Sequence, residues 1–386
     1  MRAKLLIFSM FFIISSCGSE EAFLDPIYEN ALENVLTLEL SFGDEGLPDE
    51  FLIARDAGHL FWVMATADDS GNFYLFDEKM IKVYDKDGKA KTTIGRPGEG
   101  PGEFSSGRFE ALPTVSPTGY VTVLNDHGMY KDYNMYDPQY KFLKTVNRIP
   151  KIFGTQYRCE VFSLSESEYI RENYDNKESG NLQITTFSIE HIKNNEKKVI
   201  VSYDVTTDII QGRSRESIPH GKLFWEALPG RKIAFTFSWK DEIYSDEGNF
   251  YIIHVNDLDS GEHQEIKRQF EPVPLPEYMD EHLEINNIKN MEAITHAFFD
   301  GKIMYAFTSI KKKIDENRYE SLVDVIDLEN CKYLRSVYLP EWGDILAIKG
   351  GYAYLNGVTY KYKGQSIWDK FSVIEKYKID PAVYGK

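Results

Sequence analysis

The chain has 386 residues and carries 61 acidic against 44 basic side chains, for a formal net charge of −17 at pH 7. This balance excludes the proteins that bind nucleic acid or anionic lipid headgroups through a basic surface. With only three cysteines in a chain of this length, a small fold held together by disulfides is also excluded.

Residues 1–16 have the features of an export signal. Arg2 and Lys4 give a positive start, an apolar run of about ten residues extends from Leu5 to Ile14, and two serines follow. The run is half of the roughly 20 apolar residues that a bilayer-spanning helix needs. We therefore predict a cleaved signal peptide over residues 1–16.

The segment Ile14-Ser15-Ser16-Cys17 resembles the lipobox of bacterial lipoproteins. The resemblance implies that Cys17 is lipidated and becomes the first residue of the mature chain; an ordinary secretory signal is the alternative. Without residues 1–16 the chain loses two basic residues and has a net charge of −19, so that lipid, not basic surface, would hold it to a membrane. The following Gly18–Glu21 resembles the acidic export tag of surface-exposed lipoproteins of the Bacteroidota, with a solvated linker as the alternative.

Beyond a tether over residues 17–33, short runs of alternating aromatic and β-branched residues recur between turn signals, which is typical of strands. The clearest unit extends from Leu60 to Gly95. It contains four such runs, with turns at Asp68–Gly71 and at Asp87-Gly88. Four short antiparallel strands joined by tight turns form one blade of a β-propeller.

The second and third strands of this unit recur five more times. The second strands begin near residues 72, 120, 168, 241, 302 and 352, at spacings of 48, 48, 73, 61 and 50 residues. A propeller repeats every roughly 40 to 50 residues, and insertions lengthen single units. We predict an all-β fold over residues 34–386, a six-bladed β-propeller with four-stranded antiparallel blades.

Two segments outside the repeats carry further predictions. The sixth unit is one strand short, and Asn34–Leu40 alternates as a strand, so we predict that it pairs with Phe371–Lys376 and closes the ring. The pairing would remove two exposed strand edges. Pro276–Glu292 has apolar residues near helical spacing, which predicts a short helix inserted between blades four and five.

Three stretches resemble a known family. Leu60–Gly95 resembles an NHL-type repeat, and Ile94–Phe104 closely resembles the loop after the first blade of six-bladed β-propeller lipoproteins in the Bacteroidota. Phe237–Tyr244 is similar to a second recurrent stretch of that family. The resemblance implies an outer-membrane location and the propeller architecture, and it implies little about chemistry.

Local motifs for chemistry are weak. The glycines at 98, 100 and 102 do not form a phosphate-binding G-x-G-x-x-G, because position 103 is Glu, and two nearby prolines lack amide donors. Asp85–Gly88 and Asp257–Gly261 lack the ligand run of a calcium loop and are typical of turns. We predict a rigid crossover at the first site and hairpin turns at the other two.

The histidines also lack the local pattern of a catalytic or zinc site. None lies in H-E-x-x-H, no pair has the short spacing of zinc ligands, and His127 follows Asp126 in a turn-like sequence. His282, on the predicted helix, has no second imidazole one turn away. We therefore predict no catalytic residue, no metal ligand and no cofactor from local sequence. Residues of different blades could still meet in the central channel, which local motifs cannot reveal.

One segment is a candidate for partner binding. His220, Phe224 and Trp225 place large aromatic rings in a polar stretch, and such rings can form a platform for a sugar or a protein. The alternative is structural, with the two aromatic residues in the first strand of blade four or over its core.

The leading hypothesis is a monomeric, outer-membrane, surface-exposed lipoprotein that acts as a non-catalytic binding or scaffold propeller for a protein or glycan. The alternatives are a hydrolase or lyase with a metal in the central channel, and an envelope sensor or assembly factor. A plugged channel favours the scaffold, and convergent polar groups favour the enzyme. The sequence leaves open the ligand, the binding face and whether Cys159 pairs with Cys331.

Overall fold

The computed structural model describes residues 30–43, 47–53, 65–104, 113–126, 130–150, 161–179, 182–208, 221–275, 289–316, 318–357 and 373–386. Among these, the strands of the first three blades are β2 (Ala65–Ala67), β3 (Phe73–Asp77), β4 (Met80–Tyr84) and β5 (Ala90–Ile94); β6 (Pro113–Val115), β7 (Val121–Asp126), β8 (Tyr130–Tyr136) and β9 (Phe142–Pro150); β10 (Val161–Ser165), β11 (Glu168–Ser179), β12 (Leu182–Lys193) and β13 (Glu196–Asp208).

The strands of the other three blades are β14 (Leu223–Leu228), β15 (Lys232–Phe237), β16 (Glu242–Ser245), β17 (Gly248–Asp257) and β18 (His263–Gln269); β19 (Ile294–Asp300), β20 (Ile303–Lys313), β21 (Tyr319–Asp327) and β22 (Lys332–Pro340); β23 (Ile345–Lys349), β24 (Tyr352–Asn356), β25 (Ile374–Ile379) and β1 (Leu36–Phe42).

These strands form a six-bladed β-propeller. The first strand of each blade lies innermost, because β2, β6, β19 and β23 contact the first strands of the neighbouring blades, and β23 meets β2 to complete the ring. Short turns with Asp at their first position join the strands; the Asp85 carboxylate, for example, accepts hydrogen bonds from the backbone N–H groups of Asp87 and Lys89 at 2.9 Å each. The predicted architecture is confirmed.

The hydrophobic core lies between blades. Alternate residues of each strand face one neighbouring blade or the other, so each junction has its own apolar cluster. Where the last blade meets the first, Phe73 stacks on Tyr354 with ring centroids 4.9 Å apart. The many aromatic residues counted in the sequence therefore fill the wedge-shaped space between twisted sheets.

The N-terminal strand closes the ring, as predicted. β1 pairs antiparallel with β25 from Leu36 opposite Ile379 to Phe42 opposite Ile374, and it is the outermost strand of blade six. Val35 and Phe42 are buried. The chain just before β1 also contacts blade five, where the backbone N–H of Leu32 donates to the Ser336 carbonyl at 3.0 Å.

Blade four differs from the sequence prediction. Its second strand is β15, which begins at residue 232 and not near 241. The prediction took β16 for this second strand. Both β15 and β16 pair with β17, so β16 continues β15 after a break. At the break Trp239 adopts a left-handed φ of 65°, and the Asp241 carboxylate accepts a hydrogen bond from the Phe237 N–H at 2.7 Å. This turn interrupts the strand, so the repeat spacing of blade four was misjudged.

The predicted helix falls mainly on residues 276–288, which lie outside the described residues. Residues 289–292 are not helical; Asn290 forms an isolated bridge with Pro274 at the base of the insertion. Part of the predicted first strand, residues 60–64, also lies outside the described residues. Within the described part of the chain, none of the helical segments has the length and apolar character needed to cross a membrane.

The Gly- and Pro-rich segment is a rigid crossover between blades one and two. The Glu103 carboxylate accepts hydrogen bonds from the Gly100 N–H at 2.8 Å and from Arg96 Nε at 2.7 Å, while Phe104 is buried beneath the loop. These hydrogen bonds lower the pKa of Glu103, and the one from Gly100 has the largest effect. Gly95 has a φ of 71°, and a Cβ there would lie 2.3 Å from the Phe104 ring, so glycine is required.

Candidate binding site

The first strands of blades four, five and six begin on the same face of the ring, since each blade repeats the same strand order. Five residues near these strand starts come together there, and we call them the channel mouth. They are Lys222, Phe224, Glu292, His296 and Trp342.

His296 is the centre of the channel mouth. Its buried ring stacks on Trp342, with centroids 4.9 Å apart and an interplanar angle of 12°, and meets Phe224 edge-on at 5.8 Å. Phe298 packs on a third side at 4.7 Å. Three blades therefore hold one imidazole, and the indole resting on it is 39% exposed. The result is a rigid aromatic surface beside the channel.

Two charged groups flank this surface. Lys222 Nζ lies 5.8 Å from the Trp342 ring centroid and 3.7 Å from the Glu292 carboxylate. Burial raises the pKa of Glu292, and Lys222 opposes this shift while the charge of Glu242 adds to it. The channel mouth thus offers a flat ring, a cation and a carboxyl group whose pKa is above its ordinary value.

Glu242 holds the backbone next to the channel mouth in place through hydrogen bonds. Its Oε1 accepts hydrogen bonds from the backbone N–H groups of Trp239 at 2.9 Å and Ala293 at 2.8 Å, which fixes the residue next to Glu292. Burial raises the pKa of Glu242, against the lowering effect of these hydrogen bonds and one from Tyr244. With its oxygens occupied by the protein, Glu242 acts as a structural support.

At the other end of the first strands, polar contacts of one lysine connect residues of several blades. Lys349, at the end of β23, lies 2.9 Å from the Glu226 carboxylate of blade four and 3.6 Å from the Asp69 carboxylate of blade one. Its Nζ also donates to the Phe299 carbonyl of blade five at 3.3 Å. Burial raises the pKa of Glu226, and Lys349 opposes that shift. The side chains converge and are polar, but their charges are paired.

A shallow cleft adjoins the channel mouth, with Phe270, Met291, Glu292 and Ser309 among its lining residues, and it encloses almost no volume. Small-molecule sites usually enclose about 300 to 1,000 Å³. The cleft is therefore smaller than a typical enzyme pocket, and the channel mouth is better suited to contact across a surface.

The predicted site residues are distributed as follows. Phe224 is half-buried in the channel mouth, whereas Trp225, next to it on β14, points to the opposite side and is 2% exposed. The Trp225 ring packs edge-on against Phe162 at 5.1 Å, between blades three and four. Both residues lie in β14, the first strand of blade four, as the structural alternative proposed, and Trp225 is buried there. Cys17 and His220 lie outside the described residues.

Lys222, Glu292, His296 and Trp342 were not predicted, although each lies within three residues of the start of a first strand or in the segment before it. Their positions near strand starts place them on one face of the ring, but the sequence does not reveal which of them are in contact. Among the described residues, the group of His and carboxylate side chains with metal-ligand spacing comprises His254, His263 and Glu265, at the periphery of blade four. Cys159 lies outside the described residues, and Cys331 Sγ donates to the Gln264 amide oxygen at 3.1 Å.

No protein-family model matches the chain, and no curated protein matches it. Solved structures do. A Bacteroides fragilis protein named as exported is 11% identical, with 92% of this chain and 98% of that chain covered and a TM-score of 0.44. A Bacteroides caccae protein of unknown function is 11% identical, covering 72% and 81%, with a TM-score of 0.37.

The β-propeller domain of the Trilobed protease from Pyrococcus furiosus is 13% identical over 76% of this chain and 77% of that chain, with a TM-score of 0.34. At TM-scores below 0.5 these similarities carry no inference about function. The assignment of this chain as a β-propeller rests on its own strand pairing, which arranges its strands in six blades.

Proposed function

We propose that the chain is a lipid-anchored envelope protein, attached through Cys17 and exposed at the surface of the outer membrane, that binds a protein or glycan at its channel mouth. One observation carries the binding role: Trp342 presents a partly exposed indole that is held flat on His296, with Lys222 and Glu292 beside it.

Physical chemistry favours this surface for recognition. A large ring fixed by its neighbours loses little conformational entropy when a partner covers it, so most of the contact energy is available for binding. An indole face suits the C–H face of a sugar ring or an apolar side chain, and Lys222 and Glu292 can supply hydrogen bonds at its edge. The geometry thus combines an apolar anchor with a polar rim.

A non-catalytic role is supported by the paired charges around Lys349. Lys349 would repel a metal ion at that end of the first strands, and its charge is already matched by Glu226 and Asp69. A hydrolase or lyase with a metal elsewhere in the channel is the alternative, as is a sensor or assembly factor that contacts other envelope proteins through the same surface.

The experiment compares full-length wild-type protein with three variants in native membranes. W342A removes the exposed ring, C17S removes the lipid attachment point, and Y319A removes an equally exposed ring (39%) on β21, outside the channel mouth. Binding is measured on glycan arrays and by cross-linking to envelope proteins, and membrane association is measured by fractionation and fatty-acid labelling.

W342A should weaken binding by roughly 30-fold, the effect of losing about 2 kcal/mol at an interface hot spot, and should remain in the membrane. C17S should lose the lipid label and leave the membrane fraction, yet bind normally. Y319A should behave like wild type. A W342A protein that keeps its partner as well as Y319A does would rule out the channel mouth as the binding site.

A further inference from the structure

A second group of polar side chains lies on the outer part of blade four, away from the channel mouth. In the β17–β18 hairpin, His254 stands opposite Glu265 and Asn256 stands opposite His263. Residues two apart on a strand point to the same face, so all four side chains share one face of the hairpin. The two imidazoles are nine positions apart in sequence and become neighbours only through this register.

Three potential ligand atoms meet at this point. His254 Nδ1 lies 3.4 Å from His263 Nε2, which in turn lies 3.4 Å from a Glu265 carboxylate oxygen; His254 Nδ1 and that oxygen are 3.9 Å apart. In a tetrahedral zinc site with bonds of about 2.0 to 2.1 Å, neighbouring ligand atoms are about 3.3 to 3.4 Å apart. Two of the three separations match this value, and a small side-chain rotation would bring the third to it.

Polar groups lie behind both imidazoles, on the side away from their shared point. Asp241 Oδ1 lies 3.3 Å from His254 Nε2, and Asp241 is itself held by hydrogen bonds from the Tyr203 hydroxyl and the Phe237 N–H. This carboxylate attracts positive charge to the Nε2 side of the ring without forming a hydrogen bond, and Nδ1 faces His263. A carboxylate behind a histidine is typical of metal-bound imidazoles.

His263 is oriented by a hydrogen bond to Asn256. The Asn256 amide oxygen can only accept, so His263 donates from Nδ1, and its Nε2 lone pair faces His254 and Glu265. Three acceptor atoms at these distances are held together either by a proton on His263 Nε2 or by a cation that all three atoms bind. The Phe235 ring stacks on His254 at 4.9 Å and keeps that imidazole in place.

We propose that His254, His263 and Glu265 bind Zn²⁺ with a fourth position open to solvent. Two imidazole nitrogens and one carboxylate oxygen suit zinc, whereas Mg²⁺ and Ca²⁺ prefer oxygen ligands alone. His263 and Glu265 are 43% and 45% exposed, so water or a side chain of a partner can reach the remaining position. The bound ion also ties the third strand of blade four to the fourth.

The test uses the mature protein with its affinity tag removed and its metal stripped by a chelator. Zn²⁺ is titrated in competition with a chromophoric chelator, and Mg²⁺ serves as the control cation. Wild type is compared with H263A and E265Q, each of which removes one ligand. The control is E262Q, which changes an exposed carboxylate just before the same strand. The Glu262 side chain accepts a hydrogen bond from Gln264, which is not one of the proposed ligands.

Wild type and E262Q should bind one equivalent of Zn²⁺ with equal affinity and should melt at a higher temperature when Zn²⁺ is present. H263A and E265Q should bind Zn²⁺ more weakly by over ~100-fold, and Zn²⁺ should not change their melting temperatures. This loss exceeds the ~10- to 100-fold cost of removing a residue that only hydrogen-bonds to a metal ligand. Mg²⁺ should have no effect on any of them.

Two results would overturn the proposal: wild type that binds no Zn²⁺, or H263A and E265Q that bind it as well as E262Q does. Circular dichroism checks that the variants fold, and since both side chains are exposed, either variant alone is enough for the decision. W342A should bind Zn²⁺ normally, because the channel mouth does not contribute to this site.

Discussion

At the scale of single residues, Glu168 shows how buried charge joins neighbouring blades. Its Oε1 accepts hydrogen bonds from Arg231 Nη2 at 2.6 Å and His191 Nε2 at 2.7 Å, and Arg231 also binds Asp259. The hydrogen bond from Arg231 lowers the pKa of Glu168 to about 2, although burial acts in the opposite direction. An ion pair of this kind joins the β14–β15 turn of blade four to blade three.

The lowered pKa predicts an acid dependence of stability. An unfolded glutamate has a pKa of about 4.3, so the stabilising effect of Glu168 is complete above that pH and declines as the pH falls toward about 2. E168Q should lower the free energy of unfolding by about 2 kcal/mol at pH 7 and by much less near pH 2. Urea denaturation at several pH values measures both effects.

E166Q provides the matched control, because Glu166 is an exposed turn residue two positions away. Its stability should follow the wild-type curve throughout. Curves for E168Q and wild type that stay parallel from pH 7 to pH 2 would contradict the assignment of this acid dependence to Glu168.

Single residues also show where sequence reasoning reaches its limit. The turn at Asp257–Gly261 was recognisable, and counting outward from it pairs His254 with Glu265, so the peripheral cluster could have been found from a hairpin register. By contrast, the contact between His296 and Trp342 depends on how two blades pack, and nothing in either local sequence encodes that distance. Sites within one hairpin are therefore accessible from the sequence, and sites between blades are not.

At the scale of elements, the closing strand β1 was predictable because alternation and a missing strand pointed to the same answer. Blade four was less predictable, since the strand continues on both sides of the turn at Trp239 and each half alone looks like a second strand. Periodicity detects strands well, but it does not reveal which two fragments share one position in a sheet.

Deleting residues 34–42 should destabilise the whole propeller. The deletion removes the buried side chains of Val35 and Phe42 and leaves β25 as an open edge. Each large buried side chain contributes about 2 to 5 kcal/mol, so the melting temperature should fall by about 10 °C or more. Differential scanning calorimetry measures the change.

F42A serves as a milder variant, and it should lower the free energy of unfolding by about 3 to 5 kcal/mol while keeping the strand pairing. A mature chain shortened to begin at residue 30 is the control and should melt as wild type does. Unchanged melting after the deletion would show that β1 does not hold the ring closed.

At the scale of the whole molecule, Lys349 connects blade six both to its neighbour, blade one, and to blade four, which is not its neighbour. It lies in blade six and contacts Glu226 of blade four and Asp69 of blade one across the inner side of the ring. At 11% side-chain exposure its charge is well shielded from solvent, so its electrostatic contacts are stronger than those of surface pairs.

K349M should therefore destabilise the protein by about 3 kcal/mol, because it leaves the Glu226 carboxylate buried without a counter-charge. The double variant K349M/E226L replaces the pair by apolar groups and should recover most of that loss. Urea denaturation of wild type, K349M, E226L and the double variant gives the coupling energy between the two side chains. Additive effects of the two substitutions would argue against a coupled pair.

The backbone bridge at Leu32 has a mechanical meaning for an anchored protein. Leu32 lies between β1 and the proposed lipid attachment at Cys17, and its N–H and C=O groups bond to Ser336 and Tyr338 of β22. If the propeller is held at one side by a partner and at the other by its tether, these two hydrogen bonds on blade five are the first within the described residues that tension along the tether would meet. Under such tension the two hydrogen bonds of Leu32 would break before the pairing of β1 with β25 is loaded.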